Sequence, residues 1–202
     1  MKGYLLAGIA MFLFCGGRGE QERPSQHGEA TMIAKSVLIV IAHKNFRDEE
    51  FREPYDLFRN SGMKVVVAST DTTPAKGMLG MIVQPDITLE QVNSDEFDGL
   101  VVVGGTGCEE LWDNKTLRDI VQRFNADNKM IAAICLAPVI LGRAGILEER
   151  IVTAYPSVRD EIGKCCARCT DSDIEISGNI ITCSGPKAAA DFATTILGVM
   201  RK

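Results

Sequence analysis

Histidine is scarce in this sequence. Its 202 residues include only two, His27 and His43. No Ser–His–Asp triad can be assembled on the folded part of such a chain, where His43 stands alone. Excess basic charge is also missing: 22 Lys and Arg stand against 27 Asp and Glu, a net charge of -5. Without a stripe of cations to neutralise phosphates, a nucleic-acid partner is excluded. The apolar run from Tyr4 to Phe14 is too short for a membrane-spanning helix. No internal repeat and no heptad pattern is found, which excludes solenoids and coiled coils.

What remains is ordinary globular composition, 46% hydrophobic and 24% charged. The length suits one domain with a sizeable core. The N-terminus stands apart. Residues 1–17, "MKGYLLAGIAMFLFCGG", carry one positive charge, an apolar run and then small residues. This is the pattern of a secretory export segment, with Gly17 acceptable at a cleavage site. Cys15 is a candidate for lipidation, although Phe14 is large for the position before such a cysteine. Export to a periplasmic or lipid-anchored state is the expectation, with the N-terminus as the sole membrane tether. Translation from Met32 would instead leave a cytoplasmic protein. Residues 18–34 are polar and read as a flexible linker. The domain is expected over 35–202.

Seven cysteines are present. Cys165, Cys166 and Cys169 cluster in "CCARC". No second such pair and no nearby histidine completes four ligands, so no metal is expected there. A surface loop or an incidental disulfide is the expectation.

Along the domain, "SVLIVIA" (36–42), "MKVVVAS" (63–69), "FDGLVVVGGTG" (97–107) and "KMIAAI" (129–134) are continuous apolar runs. They predict strands buried on both faces. Phe51, Tyr55 and Phe58 fall on one face of a helix over 48–62 that ends at Gly62. Residues 114–128, 136–146 and 186–200 predict further helices, with Pro186 in the first turn of the last. A hairpin is expected between 70 and 94, and another over "DIEISGNIITCSG" with Gly178-Asn179 at its turn. "IVTAYPSVRDEIGK" reads as strand, turn and helix. Strands alternating with helices predict an α/β, doubly wound, mainly parallel sheet flanked by helices. Ligands bind such sheets beyond the carboxyl ends of the strands. Three segments therefore matter.

The first is "AAICLAP". Cys135 follows a strand and precedes a helix, the geometry of a nucleophile elbow with cysteine in place of serine. A helix N-terminus favours the thiolate. Position alone leaves a buried inert thiol equally open. The second is "VGGTG". Glu110 stands where a dinucleotide fingerprint needs its third glycine. The glycines serve either as a plain tight turn or as half of an oxyanion hole, with N–H donors from Gly105 and Leu136. The third is "HKNFRDEEFREP". Its acids can simply complement the helix dipole. Glu50 differs, because Pro54 removes the helical partner of its carbonyl and should kink the helix. An inward Glu50 beside Cys135 would have a raised pKa and donate to the thiolate. His43, just past the first strand, is a candidate base or a surface residue.

The chain from about 36 to 202 resembles the ThiJ/PfpI (DJ-one) superfamily, a class I glutamine amidotransferase-like group that includes protein deglycases and glutathione-independent glyoxalases. The resemblance rests on "VLIVIA…FRDEEFREPYDLFRNSGMKVVVAS", "DGLVVVGGTG", "AAICLAPVILGRAGIL", "TAYPSVRDE" and "GNIITCSGPKAAADFA", in order and at similar spacing. It implies a flavodoxin-like fold, frequent homodimers and a role in stress response. It implies Cys135 as the reactive cysteine, Glu50 as the acid touching it, and Gly105 and Leu136 as oxyanion donors. Tyr155 matches a position that holds His or Tyr in the family. Peptidase-type members carry a histidine directly after the cysteine. Leu136 stands there, which argues against proteolysis and for the deglycase and glyoxalase branch. The implied activity is cofactor-free hydrolase or lyase chemistry on methylglyoxal, glyoxal or their adducts, including glycated protein. Two other readings stay open: a redox-sensing or chaperone-like protein that oxidises Cys135, and a cysteine peptidase or amidase with His43 as base.

Overall fold

The computed structural model describes residues 34–202, which form one compact unit. The expected export segment and nearly all of the linker lie outside the described residues. Among the described residues no helix is long and apolar enough to cross a membrane.

The apolar runs form the core of a seven-stranded sheet. They are β1 (Ser36–Val40), β3 (Lys64–Ser69), β7 (Gly99–Val102), β8 (Met130–Ile134) and β12 (Ile180–Cys183). Two edge strands complete it, β6 (Ile87–Thr88) beside β3 and β11 (Ile174–Ser177) beside β12. The order is β11-β12-β8-β7-β1-β3-β6. Every neighbouring pair is parallel except β11 and β12, the hairpin turned by Gly178. All residues of β1, β7, β8 and β12 are buried, which is why their sequences run apolar without alternation.

Among the described residues five helices accompany the strands: α1 (Asp48–Asn60), α2 (Lys115–Ala126), α3 (Pro138–Arg143), α4 (Arg159–Ile162) and α5 (Ala189–Met200). The β1–α1–β3 crossover steps along the sheet one way and β7–α2–β8 steps the other. Crossovers of one hand then put α1 and α2 on opposite faces. The reversal lies at β1 and β7, so a crevice opens at their carboxyl ends.

Local chemistry explains the helix ends. Gly62 takes φ +79 after α1. The Gly62 N–H donates to the Arg59 carbonyl and the Met63 N–H to the Phe58 carbonyl, both at 3.1 Å. This is a Schellman closure, and it needs the left-handed residue that glycine supplies. The Asn114 side chain accepts the Leu117 N–H at 2.9 Å and caps α2. Pro54 is carried inside α1 rather than ending it.

Several expectations change. The helix expected over 136–146 is only Pro138–Arg143, and Pro186 lies in a 3-10 turn before α5 begins. The hairpin within 70–94 is β4 (Ala75–Gly77) with β5 (Ile82–Val83), and β4 also pairs with β2 (Lys44–Phe46). These three form a small sheet of their own. "CCARC" is not merely a loop. Its Cys169 lies in β10 (Arg168–Thr170), parallel to β9 (Ile151–Thr153). Cys165, Cys166 and Cys169 are free, partly buried thiols, so of the two alternatives expected there, a surface loop or an incidental disulfide, the disulfide is not formed.

Candidate active site

Cys135 is one of three non-glycine residues with positive φ among the described residues, at φ +64. A side chain in that region is strained by about 1 kcal/mol. Two neighbouring segments hold it there. The Cys135 N–H donates to the Cys183 carbonyl at the end of β12, and the Tyr155 N–H donates to the Cys135 carbonyl, both at 2.9 Å. One turn later Pro138 opens α3 where a missing N–H costs nothing. The Trp112 indole N–H donates to the Leu136 carbonyl at 3.2 Å. That indole lies under Arg143, whose guanidinium is 5.1 Å from the ring centre and donates to Asp113 at 2.6 Å and Glu161 at 2.9 Å. The elbow is thus braced on both sides by groups outside it.

The elbow aims the sulfur at Glu50. That carboxyl is fully buried, on the first turn of α1. Its Oε2 accepts the Gly104 N–H at 3.0 Å. Its Oε1 is buried without an N–H or O–H donor, and the side chain that hydrogen-bonds this carboxyl is the Cys135 thiol. Gly104 must be glycine. A Cβ there would stand 2.7 Å from Cys135 Cβ, Glu50 Oε2 and the Ile134 carbonyl oxygen. The Gly105 and Leu136 N–H groups both point at the sulfur.

Burial pushes the Glu50 carboxyl up to about 7, against the pull of the thiol, the Gly104 N–H and the Arg47 charge. Burial also pushes the Cys135 thiol up to about 12, helped by the Glu50 charge and opposed by the two backbone N–H groups. The carboxylate opposes ionisation of the thiol, while the neutral thiol's hydrogen bond favours the carboxylate, so the pair titrates as a unit. It loses one proton near neutrality and shares the other. When that proton sits on Glu50, the carboxylate charge opposing the thiolate vanishes and an O–H faces the sulfur.

Above the sulfur lies a cavity of about 240 Å³. Arg47, Thr106, Glu109, Tyr155 and Pro186 line it with Met78 from the β4–β5 turn. Arg47 is bound by Glu49 at 2.8 and 3.0 Å, and its N–H donates to the Gly104 carbonyl at 3.1 Å. Of the residues expected from sequence, the fold brings together Cys135, Glu50, Gly105, Leu136 and Tyr155. His43 is not among the cavity residues. The chain turns away after β1, and His43 Nε2 lies 3.3 Å from Thr73 Oγ1. The base role expected for it has no geometric footing. Arg47, Met78, Glu109 and Trp112 were not anticipated. Trp112 and Glu109 lie within a few residues of the "GG" turn, but Met78 carries no local signal.

An elbow cysteine over a glycine turn, with a buried acid from the first helix, occurs here in a sheet of this strand order. A family model described as DJ-1/PfpI family matches residues 35–198. The chain belongs to the DJ-1/PfpI family. It is 41% identical over 181 residues to an uncharacterized protein of Methanocaldococcus jannaschii, covering 88% of each chain. It is 32% identical to a deglycase of Pyrococcus abyssi, covering 74% of this chain and 90% of that one. It is 30% identical to a glutathione-independent glyoxalase of Caenorhabditis elegans, covering 81% and 87%. Among solved structures, a ThiJ/PfpI domain protein from Brachyspira murdochii superposes with a TM-score of 0.81 at 34% identity, covering 83% of this chain and 97% of that one. DJ-1/PfpI relatives about 30% identical to this chain thus carry the names of enzymes, deglycase and glyoxalase.

Proposed function

We propose that this DJ-1/PfpI protein is a cysteine-dependent, cofactor-free enzyme of the deglycase or glyoxalase type, acting on methylglyoxal, glyoxal or their adducts. The observation that carries this reading is the single constellation of Cys135 at φ +64, the buried Glu50 carboxyl and two N–H groups at the sulfur. A cavity of about 240 Å³ suits a three-carbon dicarbonyl or the dicarbonyl end of an adduct.

The chemistry follows from the proton that the pair shares. Cys135 passes its proton to Glu50, and the thiolate adds to the aldehyde carbon of methylglyoxal. The new C–S bond pushes the carbonyl electrons onto oxygen, where the Gly105 and Leu136 N–H groups hold the charge. Glu50 returns the proton and a hemithioacetal results. An aminocarbinol adduct reaches the same species when the thiolate displaces its amine. Glu50 then removes the proton from the former aldehyde carbon, and the enediol is reprotonated at the neighbouring carbon. The first carbon is oxidised, the second is reduced, and a lactoyl thioester stands on Cys135. Water cleaves it to lactate and restores the thiol. Methylglyoxal plus water becomes lactate, with no external oxidant or reductant. Leu136 in place of a histidine after the nucleophile, and His43 turned to Thr73, speak against a peptidase.

The test is lactate formation from methylglyoxal and release of amine from a methylglyoxal-treated peptide, using wild type and Cys135→Ser. Wild type should turn over both and Cys135→Ser neither. Turnover that survives the substitution sinks the mechanism. A second reading has one observation in its favour: a protonated Glu50 and two N–H groups are the donors that a sulfinate on Cys135 would accept from. Selective peroxide oxidation of Cys135, with no turnover of dicarbonyls, would favour it.

A further inference from the structure

Behind Tyr155 lies a second cleft of about 370 Å³ that shares Tyr155 and Pro186 with the reaction cavity as a common wall. The Tyr155 ring packs on the Gly185 backbone, with Cδ2 3.2 Å from where a Cβ on that glycine would stand. Resting on the enzyme reading above, we propose that this cleft is an anion subsite that takes a carboxylate carried on the amine or thiol portion of the substrate adduct.

The charges of the two compartments differ. The reaction cavity holds Glu50 and Glu109, and its cation Arg47 is already bound by Glu49. It suits the neutral dicarbonyl end. The cleft holds Arg159 and Lys187, and neither forms an ion pair among the described residues. Arg159 donates through Nε to the Ala154 carbonyl at 3.0 Å, which fixes one edge of its fork beside Tyr155. The remaining guanidinium edge is free for a planar carboxylate. The one acid lining the cleft, Asp173, accepts the Ser184 hydroxyl at 3.0 Å. Two cations against one acid leave a net positive cleft. An adduct bound with its dicarbonyl carbon at Cys135 has only to pass Tyr155, itself 42% exposed, to place its other end between these cations.

Charge is tested at similar size with hemithioacetals of methylglyoxal with mercaptoacetate, 2-mercaptoethanol and 2-(dimethylamino)ethanethiol, which are anionic, neutral and cationic. At low salt, kcat/KM for the mercaptoacetate adduct should exceed that for the 2-mercaptoethanol adduct by roughly threefold to tenfold, with the dimethylamino adduct lowest. Lys187→Glu should erase or invert the ratio of anionic to neutral adduct. Lys64→Glu, with the same change of net charge on a distant exposed strand end, should leave that ratio at the wild-type value. Equal rates for the anionic and cationic adducts, or a Lys187→Glu ratio like wild type, overturn the subsite. Failure of the enzyme reading shows differently, as no turnover of any adduct. The same three thiols are then presented as dithiodiglycolate, hydroxyethyl disulfide and bis(2-dimethylaminoethyl) disulfide. Mixed-disulfide formation at Cys135, followed by mass spectrometry, should give the same charge order and the same loss in Lys187→Glu. A charge order unchanged by that substitution rejects the subsite in this arm too.

Discussion

Cys135 and Glu50 share a proton that neither can give up cheaply to water. The thiol alone is held near 12 by burial and by the carboxylate, so a reactive thiolate arises only by transfer to Glu50. That transfer keeps the charge of the pair constant, and it requires that the pair has already lost its first proton, near 7. Alkylation of Cys135 by iodoacetamide should therefore rise with an inflection near 7 in wild type. In Glu50→Gln no carboxyl exists to receive the proton, and the inflection near 7 should disappear, leaving a rise only at high pH. Rates measured by mass spectrometry between pH 5 and 10 decide it, and an unchanged inflection in the variant would show that another group controls the thiol. At this scale the sequence was informative where position in the sheet dictates exposure. Cys135, Gly105 and Leu136 end strands or follow them, and the rule for open sheets selects those ends. Glu50 was legible through Pro54 and the resemblance. His43 satisfies the same rule of position yet turns to Thr73, because a side chain's direction in a loop depends on partners far away in the chain.

At the level of elements, the small sheet of β2, β4 and β5 carries Met78 to the cavity. Asp48 fastens it. This carboxylate is buried at the start of α1 and accepts the Leu79 N–H at 2.8 Å and the Met81 N–H at 2.7 Å. A Cβ on Gly77 would stand 2.5 Å from Asp48 Oδ2, so the turn lies directly on the carboxylate. Asp48→Ala removes the acceptor of two charge-assisted bonds and should lower stability by about 2–4 kcal/mol. It should also speed hydrogen exchange at Leu79 and Met81 and raise KM, since Met78 is freed. Exchange at wild-type rates would mean that the turn is held by other contacts. The acids of "DEEF" read as dipole-complementing residues, and for Glu49 that is close to the outcome. For Asp48 the signal lay in the spacing, because Asp48, Phe51, Tyr55 and Phe58 follow one helical face. The long parallel strands were legible because burial on both faces leaves no polar position. Strands of two or three residues, such as β6 and β10, leave no period to read. Their pairing is decided by neighbours that the sequence brings from elsewhere.

For the whole molecule, Glu50 makes folding stability depend on pH in the direction opposite to an ordinary carboxylate. Its ordinary value is 4.5 and its folded value is about 7. Between those values the folded chain holds a proton that the unfolded chain has released, so the stability contributed is full below 4.5 and falls as pH rises through 7. The loss amounts to about 3 kcal/mol once both states are ionised, as an order of magnitude. Gln at this position can still accept the Gly104 N–H through its amide oxygen and carries no charge to bury. Glu50→Gln should therefore melt several degrees above wild type at pH 8.5, and the difference should shrink steadily to near zero by pH 4.5. The group most strongly coupled to Glu50 is the Cys135 thiol, which in wild type is pushed up to about 12 and keeps its proton across this range, so the difference curve reports chiefly this carboxyl. Calorimetric or fluorescence melts across that range provide the comparison. If the two melting curves run parallel with pH, the folded carboxyl ionises in its ordinary range, and the proton relay proposed for Cys135 loses its acceptor.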